Sequence, residues 1–387
     1  MLKKSLVSSS RSVSLKNLLW ETVAAFSVSD HETALADVVE AYLRDCPHLE
    51  VMRNGDTVIA RTHLYRSRRI ILAGHIDTVP VIDNFPPRWL TPSDPEVLPE
   101  VAAATTEENA DVLWGRGSTD MKASVAVFLY LAATLTQPEA DITYIFYDHE
   151  EVVAEKNGLR RVVADNPDWI QADFAIVGEP TSTGIEAGCN GSIRFDVITH
   201  GVAAHSARSW KGVNAIHRAA DILNKLNDYE ARTVTVDGLE YREGLNATLI
   251  SGGKGTNIIP DECRVHINYR FAPDKTLEQA EALMVGAEGI FAGYDYEMKD
   301  ESAPARPGMS TPMAVSLSDF VRQRVGKEPL AKLGWTDVAR FSQLGVPAVN
   351  FGAGDPLLAH KHDEQVALAE VIRYTEILEE WLTSGNF

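Results

Sequence analysis

A chain of 387 residues is longer than one typical domain, so its length predicts two. It is 45% apolar and 24% charged, ordinary for a globular protein, and carries a net charge of −19. A surface this acidic excludes nucleic acid and acidic membranes as natural partners and suits an enzyme of small molecules.

Cys46, Cys189 and Cys263 are too few and too scattered for a disulfide framework or a thiolate metal site. They fit a reducing compartment, and a cytoplasmic location is expected. No apolar run approaches the ~18 residues of a membrane span. Residues 1–14 read as a frayed terminus, because serines interrupt the only apolar start.

Apolar spacing predicts helices over 15–26 and 33–46, and Asn54-Gly55 a hairpin within 51–62. The run Ile70-Ile71-Leu72-Ala73-Gly74 reads as a buried strand that delivers His75 and Asp77 at its carboxyl end. Residues 83–111, rich in proline and acids, read as a long surface loop. Gly115 and Gly117 then turn the chain into a helix over 122–135, with Asp120 at its start.

Residues 142–147 form a second apolar run, ending in Asp148-His149-Glu150-Glu151, with a helix to about 164. Residues 173–178 form a third, ending in Glu179-Pro180-Thr181. Three buried strands therefore each end in His or carboxylates. Open α/β sheets place their ligands there, whereas a charged surface would not concentrate its acids at strand ends.

From Gly184 the texture changes. Ile193, Phe195 and Val197 alternate, as do Cys263, Val265, Ile267, Tyr269 and Phe271, predicting half-buried antiparallel strands. Helices over 213–227 and 276–290 complete a small inserted α+β domain, assigned to 183–296. The larger α/β domain takes 1–182 and 297–387. Its later parts are a helix over 312–325, a turn at 334–337, a strand over 348–352 and a helix over 364–382.

His360, just before that last helix, completes a set with His75, Asp120, Glu150, Glu151 and Glu179. Imidazole and carboxylate without thiolate suit zinc, cobalt or manganese. Six candidates exceed one tetrahedral site and match two ions bridged by a carboxylate. His362 is the alternative to His360.

The stretches Gly74-His75-x-Asp77-Thr78-Val79-Pro80, Gly115-Arg116-Gly117-x-x-Asp120-Met121-Lys122, Glu150-Glu151 and Gly178-Glu179-Pro180-Thr181 stand in a telling order. With Gly201-x-x-x-His205-Ser206-Ala207 and His360-x-x-x-Glu364, the chain resembles the two-metal aminoacylase and carboxypeptidase superfamily over about 15–385. Within it, the acetylornithine deacetylase / succinyl-diaminopimelate desuccinylase family is most similar.

The resemblance implies a mixed-sheet catalytic domain of the zinc aminopeptidase/carboxypeptidase type with an inserted ferredoxin-like dimerisation domain. It implies that His75, Asp120 and Glu179 hold one divalent ion, zinc first among the choices. Asp120, Glu151 and His360 hold the other, with Asp120 as bridge. Asp77 steadies His75, Glu150 is the general base, and His205 reaches a partner subunit's site in a homodimer. Arg270, with Asn257 beside it and Thr336, would bind a substrate rich in carboxylates. The implied reaction is hydrolysis of N-succinyl-LL-2,6-diaminopimelate. Acetylornithine deacetylation and peptide hydrolysis are the enzymatic alternatives, and a metal-holding scaffold without catalysis is the non-enzymatic one. One departure stands out: Asn190 occupies a position where the family carries Arg before Gly-Ser, leaving Arg194 or Arg208 to compensate.

Overall fold

A computed structural model describes residues 11–387. The frayed start expected over 1–14 lies outside that range up to residue 10, but helix α1 already runs from Arg11 to Ala24, and Ser14 and Leu15 are buried. Two compact units form. One comprises the chain up to Ala187, Gly308–Leu330 and Arg340–Phe387; the other comprises Gly188–Pro307 and Ala331–Ala339.

In the first unit, α2 (Thr33–Arg44) and the hairpin β1 (Leu49–Asn54) and β2 (Thr57–Thr62) lead to β3 (Arg69–His75). Next come β4 (Arg88–Leu90), α3 (Pro99–Ala103), β5 (Val112–Trp114), α4 (Lys122–Thr134), β6 (Asp141–Tyr147), α5 (Gly158–Asp165), β7 (Phe174–Val177) and β8 (Glu186–Ala187). The second unit holds β9 (Gly191–His200), β10 (Ala204–His205), α6 (Ala215–Asn227), β11 (Thr233–Val236), β12 (Leu239–Arg242) and β13 (Gly244–Gly252). It continues with β14 (Ile258–Ile259), β15 (Glu262–Phe271), α7 (Leu277–Val285) and β16 (Asp295–Ser302). The chain ends with α8 (Pro312–Val325), β17 (Leu330–Ala331), α9 (Val338–Gln343), β18 (Ala348–Asn350), β19 (Gln365–Ala367) and α10 (Leu368–Ser384).

The main sheet has the order β1-β2-β6-β3-β7-β18-β8-β17. Its centre is parallel: β3 pairs in parallel with β6 and β7, and β18 with β7. Every residue of β6 and β7 is buried, as a parallel sheet covered on both faces requires. Helix α4 is apolar almost all round, and its residues Lys122 to Ala132 are all buried. Because β3, β6 and β7 run the same way, the residues after them emerge at one edge.

The second unit has the sheet order β13-β15-β9-β16, all antiparallel, with α6 and α7 against one face. Its core is the inward set Ile193, Phe195, Val197, Cys263, Val265, Ile267, Tyr269 and Phe271. The sequence drew this unit's end at 296. Strand β16 runs from Asp295 past that point and pairs with β9, so the boundary falls at Pro307. Residues 83–111 also differ from the expected bare loop. Strand β4 joins β5 and β19 in a three-stranded sheet, and Leu90 and Val101 pack on Trp114 and Leu358.

Candidate metal centre

His75 closes β3 and is 1% exposed. Its Nε2 lies 3.1 Å from Asp120 Oδ1. The other oxygen of Asp120 lies 3.3 Å from His360 Nε2, which is also 3.1 Å from Glu151 Oε1. One carboxylate is thus shared between two imidazoles, an oxygen for each. Ligand atoms of His75, Asp120 and Glu151 all fall within 4.8 Å of one another. Glu179 is buried at 6% exposure in the turn after β7. Gly352, at the end of β18, lets that turn close: a Cβ there would meet the Gly178 and Glu179 carbonyl oxygens at 2.5 and 2.4 Å.

His360, rather than His362, joins the cluster. The His362 ring stands edge-on to Trp114, with centroids 5.9 Å apart.

Asp77 is fully buried and its carboxylate faces His75. The nearest acceptor to His75 Nδ1 is the Asp77 backbone carbonyl at 3.0 Å, with carboxylate Oδ1 at 3.5 Å. The carboxylate also accepts the backbone N–H groups of Glu150 and Glu151 at 3.0 and 3.1 Å, and the Ser29 hydroxyl at 2.7 Å. The segment 149–151 is also a turn rather than extended chain, with His149 at φ 58°. Two adjacent N–H groups gripped by one carboxylate fix that turn, so Asp77 positions both glutamates.

A second buried carboxylate does the same for Asp120. Glu364, fully buried, accepts the N–H groups of Thr119 and Asp120, both at 3.0 Å, and Arg116 Nη1 at 2.7 Å. Arg116 Nη2 reaches the His360 carbonyl at 3.3 Å. This buried pair ties the Asp120 turn to the His360 loop. Sequence reading used Arg116 and Glu364 only as motif letters. Separations of 244 to 248 residues from the groups they hold carry no signal of contact.

The electrostatics fit a cation. Burial opposes charge on His75, but Asp120 and Asp77 hold its pKa well above the usual histidine value. Bonds to Asp120 and Glu151 push His360 up to about 10. Asp120 is buried, yet the two imidazoles hold its pKa down. Burial and the Asp120 charge raise Glu151. Imidazoles that retain protons this strongly sit in a negative potential, and neutral nitrogens there are donors to a metal. Lys122 is also buried; burial lowers it to about 7, and its ammonium donates to the Ala25 carbonyl at 2.7 Å.

The remaining candidates belong to the second unit. His205 pairs with Ile258 in the β10–β14 ladder, and the Ser206 N–H donates to the Asn257 carbonyl at 2.9 Å. Asn257 therefore lies with His205, before β15 begins. Arg270 lies near the other end of β15, about 27 Å along the strand. The expectation that Asn257 sits beside Arg270 is corrected by the length of that strand. Thr336 is 3% exposed, and its carbonyl is 3.8 Å from Cys189 Sγ, just ahead of β9.

Residues 71–384 match peptidase family M20/M25/M40. The chain belongs to that family, whose fold is this one. A Mycobacterium tuberculosis protein provisionally named succinyl-diaminopimelate desuccinylase DapE is 46% identical over 359 residues, 92% of this chain and 94% of that protein. The Corynebacterium glutamicum protein named succinyl-diaminopimelate desuccinylase is 41% identical over 369 residues, covering 92% and 93%. Among solved structures, a tripeptidase of Staphylococcus aureus superposes with a TM-score of 0.75 at 16% identity, over 96% of this chain and 98% of that one. A dinuclear metal-binding peptidase of the M20 family from Bacillus subtilis gives 0.65 at 16%, over 97% and 98%.

Proposed function

We propose that the chain is a two-metal amidohydrolase that cleaves N-succinyl-LL-2,6-diaminopimelate to succinate and LL-2,6-diaminopimelate. The observation that carries the chemistry is the Asp120 carboxylate shared between His75 and His360. The substrate rests on the relatives named for that reaction, at 41% and 46% identity over nearly the whole chain.

His75, Asp120 and Glu179 would hold one divalent ion; Asp120, Glu151 and His360 would hold the other. Zinc is the first candidate, and cobalt or manganese suits the same donors. Such a pair, when bound, polarises the scissile carbonyl and acidifies water. Glu150 takes the proton of the attacking water on its carboxylate and returns it to the departing amine nitrogen. Asp77 aims that carboxylate through the Glu150 N–H. His205 donates to the oxyanion of the tetrahedral intermediate, and Arg270, Asn257 and Thr336 bind the substrate's polar groups.

A homodimer through the inserted domain supports the role of His205. His205 sits on β10 beside the start of β15, and Arg270 lies about 27 Å along β15 from that start, farther than one small substrate reaches. Two copies resolve this, each lending its His205 end to the other. Strand β13 offers an open edge with Leu249 70% and Ile250 53% exposed. Three buried free thiols support a reducing, cytoplasmic setting. Among the described residues no helix is long and apolar enough to cross a membrane.

The test is hydrolysis by the metal-loaded protein of succinyl-diaminopimelate, acetylornithine and a dipeptide in parallel. Preference for the first by 100-fold or more in kcat/KM is expected. Turnover confined to the others overturns the substrate and leaves the metal chemistry standing.

A further inference from the structure

The outer face of the β9–β15 pair carries two guanidinium groups at its Gly191 end, with Asp300 beside them on β16. Residues Ile193, Phe195, Ile267, Tyr269 and Phe271 fill the core, so Ser192, Arg194, Asn268 and Arg270 project from the opposite face. The register sets Arg270 opposite Ser192 and Asn268 opposite Arg194. Arg194 and Arg270 are therefore diagonal neighbours, a spacing that long side chains bridge.

Arg194 lies 3.4 Å from Asp300, on the adjoining strand β16. Arg270 is half-buried, and its guanidinium has no hydrogen bond or ion pair among the described residues. Burial and then the Arg194 charge both lower its pKa, which marks the site as short of negative charge. The Ser192 hydroxyl is buried and has no partner. Two cations and an idle hydroxyl on one face await an anion.

Asn190 does not supply the grip. Its amide is anchored by a bond to the Arg242 carbonyl at 2.9 Å, its oxygen is buried, and a neutral amide lacks the charged fork that grips a carboxylate. Arg208 does not supply it either. It is exposed and follows β10, beside the start of β15, a strand's length from Asn190.

The geometry points to Arg194 as a specificity-determining residue that joins Arg270 and Ser192 in a clamp for the free carboxylate of the substrate's acyl group. This rests on the chain being an N-succinyl amide hydrolase. Arg194 and Arg270 each present a planar fork suited to a carboxylate, and the hydroxyl of Ser192 adds a third donor.

The test is binding of succinate to the full-length, metal-loaded protein by calorimetry, beside acetate and butyrate, which each lack the distal carboxylate. Arg194→Ala is expected to weaken succinate about tenfold or more, with acetate and butyrate moving less than about twofold. Arg194→Lys, which keeps the charge but not the fork, should recover part of the loss. Metal content and thermal midpoint are measured on each variant, and Arg194 is 43% exposed, so the alanine variant should fold. Succinate binding within about twofold of the unaltered protein overturns the clamp, as does an equal loss for acetate. Turnover on the same samples separates the two readings. If succinate binding depends on Arg194 but no N-succinyl amide is cleaved, the clamp stands and the proposed substrate falls. If Arg194→Ala cleaves succinyl-diaminopimelate with unchanged KM, the substrate stands and the clamp falls.

Discussion

Asp77 and Glu364 show what a single buried carboxylate does when it accepts backbone N–H groups. Each holds two adjacent N–H groups of a turn that carries a residue of the cluster, so each acts on the site through another residue. The two kinds of role predict different failures. Glu150→Gln keeps the turn and removes the proton acceptor; kcat should fall about 10²- to 10⁴-fold with both metals retained by elemental analysis. Loss of metal in that variant would instead make Glu150 a ligand. Glu364→Gln should do the reverse. An amide pairs poorly with the buried Arg116 guanidinium, a change that costs a few kcal/mol, up to about 3–5 if the pairing is lost outright. The Asp120 turn then loses its fixed place relative to His360. Metal affinity should fall about 10- to 100-fold, read by competition with a chelator, while excess metal restores much of kcat. A variant with full affinity and low kcat would place Glu364 in the reaction itself.

At the scale of elements, legibility in the sequence followed burial. Strands β3, β6 and β7 are sheathed on both faces and read as unbroken apolar runs, so their ends pointed to the site. Strands β13 and β16 were invisible. From Asn246 onward β13 is exposed throughout, and Asp295–Ser302 is mostly polar, so neither carries a period-two pattern. They exist because β15 and β9 offer them open edges, a tertiary cause that no local window contains. The segment 83–111 misled for a related reason. Its prolines spoke for a loop, and its few apolar residues, Leu90 and Val101, proved to be core. The cluster of His75, Asp120, Glu151 and His360 was legible because His and carboxylates recur at strand ends; the positioning residues were not, because most of their partners are main-chain atoms. Asp141 is another such residue, at the start of β6. It accepts the Leu64 N–H and the Thr62 hydroxyl, both at 2.8 Å, and the Arg66 N–H at 3.0 Å. Burial would raise its pKa, but those three donors outweigh it and hold the carboxyl below 3.8. A depressed folded pKa means the ionised form stabilises the fold above about pH 4, and that stability is lost as pH falls further. Asp141→Asn should cost about 1–3 kcal/mol at pH 7 in denaturant unfolding. The gap to the unaltered protein should close as pH drops below about 4. A gap of constant size down to pH 2.5 would show that packing, not charge, is what Asp141 contributes.

For the whole molecule, the placement of His205 and Arg270 at opposite ends of β15 decides how many chains make one active site. The strand is stiff, its neighbours β9 and β13 run along almost all of it, and both residues belong to the same compact unit. No bending of that unit brings them together. If His205 serves the site of a partner, then base and oxyanion donor of one reaction come from different chains. Glu150→Ala and His205→Ala should each be nearly inactive alone. Mixed and allowed to exchange subunits, half of the dimers become mixed ones. In each, one site has the intact base of one chain and the intact His205 of the other, while the second site lacks both. The mixture should therefore recover about one quarter of unaltered activity. If His205 acts within its own chain, every site in the mixture still lacks one group, and activity stays at the level of the single variants. Leu249→Asp, on the open edge of β13, gives the companion measurement. It should shift the protein to monomers in sedimentation velocity and abolish turnover while the metal content is unchanged. A fully active monomer would return His205 to its own chain and leave the exposed edge without a role in catalysis.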